Sequence, residues 1–407
     1  MRVLEPTCVF SPASVTDILI TLNKLEDTPC KFAVRSGGQG PFAGSSNIQD
    51  GVLIDLVSIN EITFSADRNS LVLGSGQIWN VVYATLDKQD LVVIGTHTGD
   101  VSVSGSLLGG AMSSQSNLHG WGCDNVLSHE IVSLRGGGGN FGIVTRFTVK
   151  TYRQDLIWGG GIVFEMAQLA TLIDGIVNFT NQGVLDPKAH MALAFVYYKG
   201  PYKDWKPFME YVEPIINPPI FHNFTSLPSV TNTMKIDIFG NNSAASVAND
   251  VWGLQETFWT FTYRNDPVLP HLIWVQCQDG VNAFLTVHQV AGFTVACIFA
   301  PMSIPMIQQG LKNGGNAMGI SAETPLMLFL FQLTWNDAAD EEVVLNLAQS
   351  LIAQTNDTAH SMDINYPYIH LNHAATQQNP PWGYGEGNLE KLRVTSAKYD
   401  PKVSSEI

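Results

Sequence analysis

Glycine at the ends of short β-branched runs constrains this chain more than any other feature, and three such stretches lie before Arg153. The first is Phe32-Ala33-Val34-Arg35-Ser36-Gly37-Gly38-Gln39-Gly40, followed by Ala43-Gly44. A strand running into adjacent glycines presents successive backbone N–H groups. Such a nest binds a diphosphate, and no Cβ blocks the ligand's approach. A glycine-rich β-turn has the same appearance in isolation. The second stretch, Gly95 to Gly110, mixes small and apolar residues. It suits a backbone packed on a flat or anionic ligand, or a tight sheet corner. The third is Arg135-Gly136-Gly137-Gly138-Gly139-Asn140-Phe141-Gly142, which feeds directly into an alternating strand from Ile143 to Val149. A flexible linker explains four glycines poorly when a strand follows at once; close backbone contact with a ligand explains them better.

Composition sets the outer limits. The 407 residues provide for two domains, and 45% hydrophobic against 14% charged residues is a folded composition. A net charge of -15 repels phosphate backbones and anionic lipid, which argues against nucleic acid and membrane surfaces as partners. No apolar run reaches the ~20 residues that span a bilayer. The longest, Pro325 to Leu333, is broken at Gln332 and reads as a buried strand. Met1 to Pro12 has no signal-peptide core, so the sequence as written reads without an export signal. Sequons at Asn178, Asn223, Asn241 and Asn356 weakly favour a secretory origin. The five cysteines form no CxxC pair, and His97, His119, Cys123 and His129 match no tetrahedral spacing, so no metal site is expected. There is no G-x-S-x-G nucleophile elbow.

Three zones follow one another. Residues 1–153 carry short strands (Val52 to Leu56, Ser70 to Gly74) and a helix from Ser14 to Leu25, capped by Ser14, with Val15, Ile18, Leu19 and Leu22 on one face. Residues 154–364 carry longer strands, Met191 to Tyr198, Phe258 to Tyr263, Phe293 to Phe299 and Leu326 to Trp335, with a helix from Glu341 to Ala353. That spacing predicts an antiparallel sheet covered on one side by helices. Residues 365–407 hold a strand from Tyr366 to Asn372 and a helix from Gly387 to Lys398.

Taken in order, these stretches resemble the FAD-linked oxidases of the berberine-bridge/vanillyl-alcohol-oxidase type, most closely the fungal members. The matches are Arg35 to Gly38, Gly99 to Gly110, Trp121-Gly122-Cys123-Asp124-Asn125-Val126 and Arg135 to Phe147. A closing motif matches at Asn372, Ala374, Tyr384, Gly385, Asn388, Leu389, Leu392, Tyr399, Asp400 and Pro401. The resemblance implies an α+β fold, a PCMH-type FAD-binding domain of two α+β subdomains plus a substrate domain whose antiparallel sheet is covered by helices. Residues 1–153 and 365–407 would make the FAD-binding domain and 154–364 the substrate domain. The implied cofactor-binding residues are Arg35, Ser36, Gly37, Gly38, Gln39, Gly44, His97, Gly99, Asp100, Gly105, Gly109 and Gly110. Gly142, Ile143 and Val144 would lie on the adenine side, and Asn372 would face the flavin.

The chain departs from the family at chosen points. The histidine that usually bonds FAD is Gln39, and the second, cysteine link falls at His97, so the resemblance implies non-covalent FAD. His97 reads as a histidine hydrogen-bonding within a turn. At Asn372-His373 the family often has Asn-Tyr. His373 is either the base that takes a substrate proton or a residue turned to a polar edge. Roughly twenty family residues are missing after Val132, and the start is short, which implies a truncated or alternatively spliced product, or a decayed relative, with a weakened FAD site. The family's matching cysteines imply a Cys8–Cys30 disulfide and secretory, extracellular ancestry. The expected function is FAD-dependent oxidation of a small organic molecule in secondary metabolism, with O2 as acceptor. The rival is a flavin-free or redox-inactive relative that binds, isomerises or cyclises a small molecule, or a non-functional product.

Overall fold

The computed structural model describes residues 4–399, apart from 27, 29, 41, 133–140, 198–203, 247–252, 313–314 and 322. The Gly136–Gly139 run, the junction from Ser133 to Arg135, and Asp400 and Pro401 lie outside the described residues.

Three sheets follow the chain in order. The first has β1 (Cys8–Phe10), β2 (Phe32–Arg35) and β3 (Val52–Asp55), all parallel, with β3 in the middle. The second has β4 (Ile62–Phe64), β5 (Ser70–Gly74), β6 (Leu91–Val93), β7 (Val126–Val132) and β8 (Ile143–Arg153), all antiparallel neighbours. The third begins at β9 (Ile157–Val163), four residues after the second ends. It continues through β10 (Ala189–Tyr197), β11 (Asp204–Tyr211), β12 (Thr231–Asn232), β13 (Lys235–Asp237), β14 (Gln255–Arg264), β15 (Thr294–Met302), β16 (Leu326–Trp335) and β17 (Asn365–Tyr366). Its order is β12-β9-β11-β10-β15-β16-β14-β17, with β13 also on β9.

The helices are α1 (Val15–Glu26), α2 (Trp79–Leu86), α3 (Val103–Leu108), α4 (Ser116–His119), α5 (Leu169–Gln182), α6 (His222–Thr225), α7 (Phe239–Ser246), α8 (Leu269–Val287), α9 (Ile304–Gly310), α10 (Glu341–Ser361) and α11 (Glu386–Tyr399). In α1 the Ser14 hydroxyl accepts from the Asp17 amide at 3.2 Å, the expected cap. The buried stripe is Val15, Ile18, Leu22 and Leu25, packed on Phe10, Val34 and Ile54. Leu19 is 45% exposed and does not belong to it, since one residue on from Ile18 is about 100° around a helix.

The large sheet is covered on one face by α5, α8 and α10. Ile173, Ile176, Cys277, Val281, Ala348 and Leu351 pack there against Met191, Leu193, Phe195, Val295, Phe299, Phe329 and Phe331. This is the α+β arrangement with an antiparallel sheet covered by helices. The strand read from Tyr366 to Asn372 stops after Tyr366, because Pro367 has no N–H to give to a ladder; a 3-10 turn, Leu371–His373, follows. Val132 and Ile143 are register partners in the β7–β8 pair and both are buried. β7 is left at a sheet edge, with Leu127 and Ile131 exposed.

The Cys8–Cys30 disulfide is not formed: both thiols are free and exposed. β3 lies between the strands that carry or adjoin them. Two strand spacings, roughly 9.5 Å, exceed the Cα separation a disulfide spans.

Two outcomes follow. A maleimide should label Cys8 and Cys30 in the native protein without reductant, and Cys277 and Cys297, both buried, only after denaturation. Phe329→Ala, at a position 1% exposed between Phe261 and Phe299, should lower unfolding free energy by about 3–5 kcal/mol in urea titrations.

Candidate active site

Strand periodicity builds the site, because successive side chains alternate between the two faces of the sheet. On β10 the odd-numbered residues Ala189 to Tyr197 enter the helix-side core. His190, Ala192, Ala194 and Val196 therefore face the other way. The same alternation puts Ala296 and Ile298 of β15, Leu330 and Gln332 of β16, and Phe258 and Thr260 of β14 on that second face. Register makes Ala194, Ile298, Leu330 and Thr260 one continuous cross-strand row. Ala192, Ala194, Ile298, Gln332 and Phe258 are half-buried. This face is largely small or apolar, and its buried ionisable corner is the cross-strand pair His190 and Glu210.

The segment carrying His97 is fastened beside that corner from two sides. Trp79 and Tyr83 stack on α2, and Phe239 of α7 packs edge-on to Tyr83. The Tyr83 hydroxyl accepts from the Thr96 amide at 2.8 Å and donates to the Thr96 carbonyl at 2.9 Å. A Cβ at Gly95 would lie 2.3 Å from that hydroxyl, so the contact needs glycine. The Asn80 amide donates to the Gly99 carbonyl at 2.6 Å. The hydroxyls of Ser243 and Ser246 donate to the His97 carbonyl at 3.1 and 3.2 Å. The His97 ring then stacks on His190, with centroids 4.3 Å apart, and meets Phe208 edge-on at 6.5 Å.

The C-terminal segment enters the same space. Asn372 donates to the Ser106 carbonyl at 2.9 Å, and Gly109 leaves room for its amide. His370 Nδ1 pairs with the Tyr368 hydroxyl at 2.9 Å, and its ring packs at 5.6 Å from Trp121. His373 lies 4.9 Å from the His370 ring and 5.8 Å from Phe258 on the open face.

Electrostatics mark this region as built to hold something. Buried atoms without a hydrogen-bond partner include His97 Nδ1, Asp100 Oδ1, His190 Nε2, Asn242 Nδ2 and His373 Nδ1. Unpaired buried polar atoms are costly, so their concentration here points to a polar ligand. His97, rather than hydrogen-bonding through Nδ1 within its turn, leaves that nitrogen open. Burial pushes His97 down to about 4, helped by His373, and pushes His373 down to about 4. Both rings are neutral at pH 7. His190 and His370 are pushed well down, again by burial. Glu210 is pushed up to about 7 by burial, with the Ser114 hydroxyl pulling the other way. Surface recesses of about 360 Å³ beside Phe284 and Leu351 and about 400 Å³ beside Asn80 and Asp87 include none of these histidines.

The glycine stretches also meet here. A Cβ at Gly37 would lie 2.8 Å from Ser102 Cβ, so the first stretch abuts the second. Ser36 donates to the Ser75 carbonyl, and Ser75 to the Val144 carbonyl, tying the first to the third. Gly38 takes a positive φ of 72°, which turns the loop as a nest requires. Arg35 is held by Asp55 at 2.6 Å. Gln39 is half-buried in the same loop. Gly105 lies in α3, next to Ser102. Gly110 abuts Met318 and His370. Ile143 and Val144 are buried in the β7–β8 hairpin after Gly142, and Gly44 has open space around it.

Comparison with known proteins agrees with this arrangement. Residues 6–138 match the family model described as an FAD binding domain. The chain is 29% identical to an FAD-dependent monooxygenase, tpcD, of Cochliobolus heterostrophus, covering 98% of this chain and 82% of the relative. Its fold matches that of a variant of berberine bridge enzyme with a TM-score of 0.75 at 14% identity, covering 98% and 89% of the two chains. The chain carries an FAD binding domain and shares its fold with the FAD-linked oxidases of the berberine-bridge type. A further member of this fold, 6-hydroxy-D-nicotine oxidase from Arthrobacter nicotinovorans, superposes with a TM-score of 0.79 at 17% identity, over 99% and 91%. The alignment to tpcD runs over 432 positions, more than the 407 residues here, so the relative carries segments this chain lacks. The residues present fit FAD: a close-approach glycine loop for the diphosphate, and unpartnered polar atoms opposite an apolar sheet face for the ring system.

Glu210, His190, His370 and Tyr368 were not legible as site residues. His190 and Glu210 sit in ordinary alternating strands, and only the even-residue parity shared with Ala192 and Ala194 hints that they face away from the core.

Gly109→Ala would set a Cβ 1.7 Å from Asn372 Oδ1. It should displace that side chain and cost about 1–3 kcal/mol in thermal unfolding. Glu210→Gln tests the buried carboxyl. The folded value of Glu210, about 7, lies above its ordinary 4.5. Its stabilising share is therefore complete below pH ~4.5 and lost as pH rises through ~7. The Tm of Glu210→Gln should gain on the parent between pH 5 and pH 8.

Proposed function

We propose that this enzyme oxidises a small organic molecule of fungal secondary metabolism, at an alcohol, C–N or C–C centre, with non-covalently held FAD and O2 as electron acceptor. FAD, when bound, supplies hydride acceptance. The observation that carries the reading is the unpartnered, neutral imidazole of His373 beside the open sheet face. A neutral ring can accept the hydroxyl proton as hydride leaves the adjacent carbon. Backbone groups of Ser36, Gly37 and Gly38 would hold the diphosphate, and Asn372, fixed by Ser106, would border the flavin. Ala192, Ala194 and Ile298 shape an apolar wall for the substrate and exclude water from the proton transfer. Neither Gln39 nor His97 supplies the histidine or cysteine bond implied at its position, which supports non-covalent attachment.

Acid precipitation of the yellow protein should release all flavin to the supernatant; colour in the washed pellet refutes non-covalent attachment. His373→Ala should slow flavin reduction ~10²–10⁴-fold with flavin content unchanged. Turnover under ¹⁸O2 separates oxidase from monooxygenase chemistry, since hydride removal leaves the product unlabelled. A purified chain without visible flavin absorbance would favour the redox-inactive reading.

A further inference from the structure

Across the sheet register from the His97–His190 stack lies a buried carboxyl, Glu210, to which the oxidase reading assigns no role. Glu210 is 2% exposed and stands directly across from His190 in the β10–β11 register, on the open face of the sheet. Directly opposed side chains have Cβ atoms ~4.5–5.5 Å apart. His190 in turn lies face to face with His97, rings inclined by 24°. Both rings carry an unpartnered buried nitrogen. We propose that Glu210 acts through His190 as a positioning residue that tunes the proton affinity of His97, the ring that stacks on His190 beside the open sheet face.

The surroundings support a single proton on Glu210. Toward Glu210, α2 presents the Tyr83 phenol and β10 presents His190, with His97 behind it. The strand β9 presents Gly159, whose position also borders Asn242 of α7, and the loop before α4 presents Ser114. None of these groups is a cation at neutral pH. A lone carboxylate would therefore be uncompensated, and so would a lone imidazolium in the stack. With both rings neutral, the proton of this enclosure sits on Glu210, and its loss is felt by the stacked rings of His190 and His97 together. The burial-raised carboxyl places that loss near neutrality. Below it the enclosure has no net charge. Above it one negative charge lies behind His97, which favours a proton arriving at that ring from the substrate side. This rests on the oxidase reading only for its consequence in turnover.

The test uses the full chain labelled with ¹⁵N-histidine, signals being assigned with His97→Gln and His190→Gln. In the parent, His97 and His190 should shift together, with one midpoint between about pH 6 and 8. In Glu210→Gln that common transition should disappear, and in Glu210→Asp it should return. The pH profile of flavin reduction should lose its break near neutrality in Glu210→Gln, whereas His373→Ala should lower the rate at every pH. Independent titration of the two histidines, or unmoved titrations in Glu210→Gln of native Tm, overturns the proposal. If the histidines respond as expected but no flavin is reduced, the coupling stands and the oxidase reading fails.

Discussion

The structure depends on the two unlike faces of one antiparallel sheet. β10, β14, β15 and β16 send Phe195, Trp259, Phe261, Phe299, Phe329 and Phe331 to one side. Each large side chain buried there contributes on the order of 1.5–3 kcal/mol, so that side must be sealed by helices. The other side carries Ala192, Ala194, Ile298, Leu330, Thr260, Phe258 and Gln332, with His190 and Glu210 at one corner. A face with so few large side chains gains less from being filled by protein. It can be kept for a ligand because the helix-covered face supplies the stability.

From this asymmetry follows the division of labour between segments. The N-terminal sheets supply rigid glycine turns, which are cheap in space but costly in chain entropy. α2 and α7 clamp the loop that carries His97, through Tyr83, Asn80, Ser243 and Ser246. The C-terminal segment returns to place Asn372 and His373 between the two. Met112, Trp121, Met302, Met318, Tyr368 and Tyr384, drawn from all three parts of the chain, share one apolar cluster, so the segments cannot shift independently without breaking it.

The pH behaviour of the site reflects the same enclosure. Burial keeps the four histidines neutral and holds the proton on Glu210, through one cause with opposite sign for base and acid. The depressed histidines contribute stability above pH ~6.5, which is lost as pH falls toward their folded values. Glu210 contributes below pH ~4.5 and loses its share toward 7. The interior is therefore least costly when it carries little charge.

The sequence by itself carried the family resemblance, the α+β class and the long strands. Leu326 to Trp335 and Ser70 to Gly74 were readable to the residue, because their patterns are local. It also located the glycine loops, since a missing Cβ is visible in one dimension. It misplaced Leu19 and extended the last strand past Pro367. Only the tertiary structure decided which histidines meet. His97, His190, His370 and His373 are separated by up to 276 positions, and nothing local marks them as neighbours. Their meeting depends on strand parity, on the order β11-β10-β15 and on the return of the C-terminus. The disulfide implied by the family's cysteines failed for a related reason: β3 lies between the strand that carries Cys8 and the strand that Cys30 adjoins, which sequence order does not reveal.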